Sequence, residues 1–129
     1  MVMGYILDTN ILIAFLNNDL NVVTKLKEID HFYTSCISVG ELYYGANISQ
    51  KTEKNIEIIK GFLECLQIFN ISSKTAIQYA SIKAELKHKG TPISENDIWI
   101  AAIAQENELT VVSRDKHLLN LDLIKTEKW

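Results

Sequence analysis

The sequence predicts an α/β domain in which a central, mostly parallel β-sheet is flanked by helices. Short runs of apolar and β-forming residues alternate along the chain with longer segments of helical periodicity, which is the pattern of βαβ units. Capping and polar residues separate the two kinds of segment. The 129 residues are enough to bury one core, so we expect a single domain over residues 1–129.

The first predicted elements are a strand, two helices and a second strand. The apolar residues within 4–8 predict a short buried strand. The Asp-Thr-Asn sequence that follows can cap a helix over residues 11–16, because short polar side chains accept hydrogen bonds from the free amides of a first turn. A second helix is predicted over residues 20–29. Residues 32–37 are rich in β-formers and predict the next strand.

Two helices and a third strand are predicted in the middle of the chain. Ser38 and Glu41 have the spacing of a capping box, which predicts that a helix begins there and continues through Ala46. Residues 51–64 carry isoleucines and leucines at helical spacing and predict an amphipathic helix. The short apolar run at residues 66–69 predicts a strand.

A longer helix is predicted next. Ser72 or Ser73 can cap its start, and Gly90 marks its end, since glycine favours the left-handed conformation that follows many helices. Helical spacing predicts that its apolar face consists of Ile77, Ala80 and Ala84.

The last third of the chain contains the most apolar predicted helix. Residues 94–97 supply a serine cap and two acids, and residues 98–104 are apolar on every side, which predicts burial all round. Residues 109–112 predict a strand that a Ser-Arg-Asp sequence follows. A final short strand is predicted over residues 121–124.

Composition excludes several classes of protein. Cys36 and Cys65 form neither a CxxC motif nor a Cys/His quartet, so we expect buried, reduced thiols and no structural zinc site. The longest apolar runs are shorter than the roughly 20 residues that cross a bilayer, and the N-terminus lacks the features of a signal peptide. A cytoplasmic protein with no membrane span is therefore expected. The net charge of −3 means that any role with nucleic acid must be local or depend on bound cations.

Four acids lie at positions where an α/β fold of this kind carries its functional residues. Asp8 and Asp115 follow predicted strands, and Glu41 and Asp97 lie in the first turns of predicted helices. Parallel α/β sheets bind ligands outside the carboxyl ends of their strands, so the fold would bring these carboxylates to one edge. Each acid also has a purely structural interpretation, because each could cap a helix or a turn.

A divalent cation accounts for the four acids together. Neighbouring carboxylates repel one another, whereas Mg²⁺ or Mn²⁺ takes oxygen ligands and retains waters for chemistry. The sequence lacks phosphate-loop, nucleophile-elbow, zinc-protease and dinucleotide-binding motifs. The three histidines are interpreted as surface or packing residues. Metal-activated water attacking a phosphodiester is therefore the simplest chemistry for the site.

Four motifs, in order along the chain, resemble those of the PIN-domain family and in particular its VapC-type toxins. They are Leu7-Asp8-Thr9-Asn10, Ser38-x-x-Glu41-Leu42-x-x-Gly45, Asn96-Asp97-x-x-Ile100-Ala101-Ala102 and Val112-Ser113-Arg114-Asp115. The resemblance covers essentially the whole chain and implies a single PIN-like domain. Carried over residue by residue, the family's metal-binding, catalytic acids fall on Asp8, Glu41, Asp97 and Asp115.

The resemblance also implies an activity and partners. It implies a Mg²⁺- or Mn²⁺-dependent endoribonuclease with an RNA substrate, usually a homodimer, inhibited by a small cognate antitoxin that binds operator DNA. The alternative is a catalytically silent PIN-like binding module that acts through protein or RNA contacts, although the presence of all four acids argues against it. A receiver-type signalling domain is disfavoured, because only Asp8 follows the first strand and Asn70 follows residues 66–69.

Two neighbours of Asp115 are secondary site candidates. Ser113 lies where the family tends to carry a small hydroxyl residue, which implies a hydrogen bond to an acid or to a metal-bound water, and it could equally cap the strand end. Arg114 and Lys116 flank Asp115 and are placed by the sequence to meet phosphate. The lysines near the end of the helix before Gly90 could hold RNA phosphates or form a solvated face.

Overall fold

The computed structural model describes residues 4–129, in which seven helices surround one five-stranded sheet. The strands are β1 (Tyr5–Leu7), β2 (Phe32–Ser35), β3 (Gln67–Phe69), β4 (Thr110–Ser113) and β5 (Lys125–Lys128). The helices are α1 (Thr9–Leu16), α2 (Leu20–Lys27), α3 (Cys36–Asn47), α4 (Thr52–Leu63), α5 (Ser73–Lys89), α6 (Glu95–Glu106) and α7 (Lys116–Leu119). The predicted α/β class is confirmed.

All neighbouring strands run parallel, in the order β3-β2-β1-β4-β5. β1 lies at the centre, where Tyr5 pairs with Phe32 of β2 on one side and with Thr110 of β4 on the other. The chain therefore moves outward from β1 in both directions. The carboxyl ends of β1 and β4 form the point where the direction changes, and this is where open α/β sheets bind ligands.

Two apolar cores lie on opposite faces of the sheet. Successive strand residues point to opposite faces, so Ile6 and Val111 enter one core while Leu7 and Val112 enter the other. Helices α5, α6 and α7 cover the first core, and α1 to α4 cover the second. Residues 100–104 of α6 are at most 1% exposed and Ile98 is 4% exposed, so the predicted burial of residues 98–104 is confirmed except at Trp99, which is half-buried.

Helix α3 begins earlier than predicted. Its N-cap is Ser35, the last residue of β2, whose Oγ accepts a hydrogen bond from the Ser38 amide at 3.1 Å. Ser38 lies inside the first turn and is fully buried, so the predicted capping box of Ser38 and Glu41 is wrong. The β-propensity of Cys36 and Ile37 predicts strand, but the cap at Ser35 stabilises a helix there instead. Glu41 therefore has no capping role and lies in the second turn.

Helix α5 starts after the predicted cap Ser72 and ends before Gly90, but its predicted apolar face is wrong. Ile77 is 68% exposed, and Ala80 and Ala84 are also exposed. The buried positions are Thr75, Ile82 and Leu86. Thr75 is buried because its hydroxyl donates to the Glu106 carboxylate of α6. A prediction that uses only the spacing of apolar residues overlooks this threonine and therefore assigns the wrong side of the helix to the core.

The last strand lies further along the chain than predicted. Residues 121–124 do not form a strand; β5 covers Lys125–Lys128 instead. β5 is an edge strand paired only with β4, and edge strands tolerate charged side chains. Because β5 carries such side chains, a search for apolar runs does not detect it. Leu121 is buried in the first core from the segment after α7, which explains why the run is apolar.

Several side chains singled out by composition lie at the surface. Cys36 and Cys65 are free thiols, as predicted, but Cys36 is half-buried and Cys65 is exposed rather than buried. His31, His88 and His117 are exposed, which agrees with their interpretation as surface residues. Within residues 4–129, each helix is too short or too polar to cross a membrane.

Candidate active site

Asp8 lies at the carboxyl end of the central strand and is only 6% exposed. Its Oδ1 accepts a hydrogen bond from the Thr9 amide at 2.8 Å, so Asp8 does cap α1. Its Oδ2 accepts a hydrogen bond from the Ser113 hydroxyl at 2.7 Å, across the gap between β1 and β4. The helix-capping role of Asp8 therefore accounts for one carboxylate oxygen. The second oxygen points toward the switch point of the sheet, between the carboxyl ends of β1 and β4.

Ser113 connects the site residues at the start of α1 with those that follow β4. Its fully buried Oγ donates to Asp8 and accepts from the Asp115 amide at 3.0 Å and from Asn10 Nδ2 at 3.3 Å. The Asn10 amide is itself oriented, because its Oδ1 accepts from the Arg114 amide at 3.2 Å. These bonds join the start of α1 to the segment between β4 and α7.

Glu41 joins the same network from α3. Although Glu41 is exposed, its Oε1 accepts a hydrogen bond from the Thr9 hydroxyl at 2.7 Å. Because Thr9 also binds Asp8 through its amide, one residue orients two carboxylates. Asp115 caps α7, accepting from the His117 amide at 2.8 Å, as its structural interpretation predicts.

Asp97 lies in the first turn of α6, where its amide donates to the Ser94 hydroxyl at 3.2 Å. Burial raises the pKa of Asp97 above its ordinary value, and the charges of Asp8, Asp115 and Glu41 raise it further, while the hydrogen bond with Ser94 lowers it. The fold has therefore placed the four acids within electrostatic reach of one another, at the carboxyl edge of the sheet.

The pKa of Asp8 is also raised, and burial is again the largest cause. Its hydrogen bonds to Ser113 and Thr9 act in the opposite direction, and the charges of Glu41 and Asp115 add to the increase. A buried carboxylate with acidic neighbours is an unfavourable arrangement unless a cation balances it.

The donor set fits a hard divalent cation that keeps part of its hydration shell. Among residues 4–129, no three His, Cys, Asp or Glu side chains come together closely enough to hold an ion by themselves. Mg²⁺ is commonly held by one or two carboxylates and several waters, so carboxylates that influence one another's charge without closing on one point suit it. Direct ligation of metal by Asp8, Glu41, Asp97 and Asp115 stays a prediction.

Arg114, which the sequence places to meet phosphate, contacts two protein groups in this structure. Its Nη2 donates to Asp19 Oδ2 at 2.9 Å, and its Nε donates to the main-chain oxygen of Trp129 at 2.7 Å. The guanidinium is therefore bound by protein groups on the side of the molecule where α2 begins and β5 ends.

Two of the lysines near the end of α5 form surface ion pairs. Lys83 contacts Glu95 and the Tyr79 hydroxyl, and these contacts raise the pKa of Lys83 and lower that of Glu95. Lys89 pairs with Glu85 one turn earlier in α5. This arrangement favours the solvated-face interpretation over a phosphate-binding patch.

Thr9 and Asn10 help to build the site, but their functional roles were not predicted from the sequence. Both belong to the first of the four motifs, directly after Asp8, and their polar side chains start a helix whose next residues are buried. The sequence feature that could have predicted these roles is that both residues are polar and directly follow the end of a central strand. Helix capping explains a polar residue there equally well, so only the three-dimensional contacts distinguish the roles.

A model of the PIN domain family matches residues 5–123. This range includes strands β1 to β4 and all four acids of the candidate site. The chain therefore belongs to the PIN-domain family.

Within this family, the chain is similar to VapC proteins. It is 38% identical to Ribonuclease VapC2 of Haemophilus influenzae over 97% of both chains, and 30% identical to the tRNA(fMet)-specific endonuclease VapC of Salmonella typhimurium, also over 97% of both. The crystal structure of VapBC2 from Rickettsia felis, bound to a DNA fragment from its promoter, contains a chain that matches with a TM-score of 0.91. That match has 30% identity and covers 98% of this chain and 99% of the other.

Proposed function

We propose that this protein is a metal-dependent endoribonuclease and the toxin of a type II toxin–antitoxin pair. It hydrolyses RNA phosphodiester bonds with metal-activated water at the acidic cluster. The observation that carries the proposal is Asp8, a buried carboxylate at the switch point whose pKa is raised by burial and by its acidic neighbours. The names of the VapC relatives, which are ribonucleases and endonucleases, support the same activity.

The four acids Asp8, Glu41, Asp97 and Asp115 hold Mg²⁺ in this proposal, with Mn²⁺ as a substitute. Such an ion, when bound, supplies a water of lowered pKa and stabilises negative charge on phosphate oxygens. The carboxylates create the local negative potential that attracts a cation, and the cation reverses the sign of that potential for RNA. This explains how a chain of net charge −3 acts on a polyanion.

The remaining side chains keep the acids in position. Ser113 fixes one oxygen of Asp8, and Thr9 fixes one oxygen of Glu41 while its amide holds the other oxygen of Asp8. Hydrogen bonds from neighbouring side chains and amides orient metal-binding carboxylates and reduce the reorganisation that binding requires. The rigid ends of β1 and β4 support this network.

We further propose that a small antitoxin inhibits the protein by binding beside the acids. An apolar groove between α1, α3 and α4 is lined by Leu16 and Leu42 and by two isoleucines, Ile13 and Ile58, that are 47% and 46% exposed. Glu41 lies at its border, so a chain seated in the groove reaches the site. The cytoplasmic protein is a homodimer that contacts operator DNA only through this antitoxin, in line with the promoter DNA bound by VapBC2 of Rickettsia felis.

The antitoxin proposal has a matched pair of variants. Ile58→Glu places a charge on the groove wall and should weaken binding of the short protein encoded beside this chain's gene at least tenfold. Ile77→Glu places the same charge on the exposed face of α5 and should leave that affinity unchanged. Equal affinities for the two variants would contradict the groove as the binding site.

The enzymatic proposal is tested by incubating total RNA with purified, antitoxin-free protein in Mg²⁺, in Mn²⁺ and in chelator. We expect discrete fragments only when metal is present. Asp97→Asn should abolish cleavage, whereas Asp30→Asn, which alters an exposed acid just before β2, should retain it. If folded, metal-supplied protein cleaves none of the RNA, the catalytically silent binding module becomes the better interpretation.

A further inference from the structure

Arg114 ties together three segments that are distant in the sequence. Its guanidinium binds Asp19, which lies between α1 and α2, and the main-chain oxygen of Trp129, which follows β5. Its own amide binds the side chain of Asn10 at the start of α1. One residue thus connects the start of α1, the start of α2 and the end of the edge strand.

The partners of Arg114 are themselves firmly held. Asp19 uses its other oxygen, Oδ1, to cap α2 by accepting from the Val22 amide at 3.3 Å. Trp129 is only 5% exposed and packs against Tyr5 of the central strand, with ring centroids 5.9 Å apart. Arg114 therefore anchors its segment to fixed points.

The anchored segment carries two groups of the acidic cluster. Arg114 lies directly between Ser113, which binds Asp8, and Asp115, whose carboxylate raises the pKa of both Asp8 and Asp97. The segment is only two residues long between β4 and α7, so the position of Arg114 determines where Asp115 is presented.

We propose that Arg114 and Asp19 form a positioning pair that sets the metal affinity of the acidic cluster. The pair holds the segment between β4 and α7 at the distance that lets Asp115 act together with Asp8. This inference rests on the proposed metal-dependent function, and it replaces the expected role of Arg114 as a phosphate ligand with an indirect one.

The chemistry of the pair requires arginine. Nε and Nη2 point in different, fixed directions from one planar group, so arginine reaches Asp19 and the Trp129 oxygen simultaneously. Lysine keeps the charge but presents a single nitrogen and cannot reproduce this two-point contact. The pair is half-exposed, so the ion pair alone adds little to the stability of the fold.

The test measures Mn²⁺ binding by isothermal titration calorimetry, together with melting temperature, in protein free of antitoxin. Arg114→Lys keeps the charge, and Asp19→Asn keeps an oxygen to cap α2. We expect each variant to bind Mn²⁺ about tenfold more weakly, because loss of groups that orient metal ligands typically costs 10- to 100-fold in affinity. The apparent Mn²⁺ requirement for RNA cleavage should rise by the same factor.

Glu106→Ala is the matched control. Glu106 also links two elements, since its carboxylate accepts hydrogen bonds from Thr75 of α5 and from Ser72, which caps α5. It lies at the opposite end of α6 from Asp97. It should lower the melting temperature without changing Mn²⁺ affinity. Wild-type affinity in Arg114→Lys and Asp19→Asn, or an equal loss in Glu106→Ala, would overturn the positioning role. A wild-type protein that binds no Mn²⁺ would instead contradict the proposed metal site itself.

Discussion

The direction of each hydrogen bond at Ser113 constrains the surrounding residues. A serine hydroxyl has one hydrogen, and here that hydrogen points to Asp8, so the contacts with Asn10 and with the Asp115 amide must be donated to it. This pattern requires an acceptor at Asp8 Oδ2 and therefore suits the ionised carboxylate. It also makes Ser113 part of the support for two acids rather than a simple strand-end cap.

Ser113→Ala should destabilise the protein by roughly 1–3 kcal/mol. The substitution removes the partner of one buried acceptor, Asp8, and of two half-buried donors, the Asn10 side chain and the Asp115 amide, and a buried polar group left without a partner costs about 1–3 kcal/mol. Urea denaturation of the metal-free protein measures this change. Thr75→Val is the control, because it removes a buried hydroxyl that donates to Glu106, at the opposite end of α6 from Asp97. Ser113→Ala should weaken Mn²⁺ binding and Thr75→Val should not; equal binding in both would contradict the supporting role.

Asp97→Asn should stabilise the metal-free protein by a few tenths of a kcal/mol to about 1 kcal/mol, while removing cleavage. The pKa of Asp97 is raised by burial and by three acidic neighbours, so its charge favours unfolding at neutral pH. The gain is kept small because solvent screens a partly exposed charge. Thermal melting in chelator measures it against Asp30→Asn. An Asp97→Asn protein that fails to fold would favour a purely structural role for this acid.

The same pKa shift predicts a pH dependence. The folded-state pKa of Asp97 lies above its unfolded value, so the destabilising contribution is full at neutral pH and disappears as pH falls through the folded-state pKa toward 3.8. The difference in melting temperature between Asp97→Asn and wild type should therefore shrink on acidification. A difference that stays constant from pH 7 to pH 4 would contradict repulsion as its cause.

At the scale of elements, Gly90 and Gly61 predict opposite effects of the same substitution. Gly90 ends α5 with φ at +68°, a conformation that costs an L-residue roughly 1–2 kcal/mol. Gly61 lies within α4 with open space around it, where alanine gains roughly 0.5–1 kcal/mol through helix propensity. Chemical denaturation should show that Gly90→Ala destabilises and Gly61→Ala stabilises. Two changes of the same sign would show that side-chain contacts outweigh backbone conformation here.

The elements most accurately predicted are those whose local signals agree with their tertiary surroundings. The run over residues 98–104 is buried except at Trp99, and Ser72, Ser94 and Gly90 mark the ends of their helices as predicted. Errors occur where a polar group is satisfied by a distant partner or an edge position tolerates charge. Thr75 is buried through a contact with α6, and β5 is a charged edge strand, and neither condition is visible locally.

The site, too, is predictable where local sequence determines it and unpredictable where distant contacts do. The positions of Asp8 and Asp115 at strand ends follow from strand prediction and from the rule that ligands gather at carboxyl ends. The binding of Arg114 to Asp19 and Trp129 depends on how α2 and β5 pack beside β4, which a linear sequence does not display. The sequence therefore predicts the acids better than it predicts the groups that hold them.

At the scale of the whole molecule, metal binding should stabilise the fold. A ligand that binds only the native state raises the free energy of unfolding, by about 2.7 kcal/mol at a concentration 100 times its Kd. Mn²⁺ or Mg²⁺ should therefore raise the melting temperature of the wild type and raise that of Asp97→Asn much less. Differential scanning fluorimetry across metal concentrations makes the measurement, and a shift that is equal in both proteins would indicate binding elsewhere.

The central position of β1 also determines when the site can exist. Asp8 directly follows the first strand, but the Ser113 hydroxyl that it binds comes 105 residues later, and β4 must pair with β1 before the two meet. During synthesis, a ribosome would therefore complete most of the chain before the acids could assemble. We expect the growing polypeptide to carry no ribonuclease activity until β4 has emerged and paired with β1.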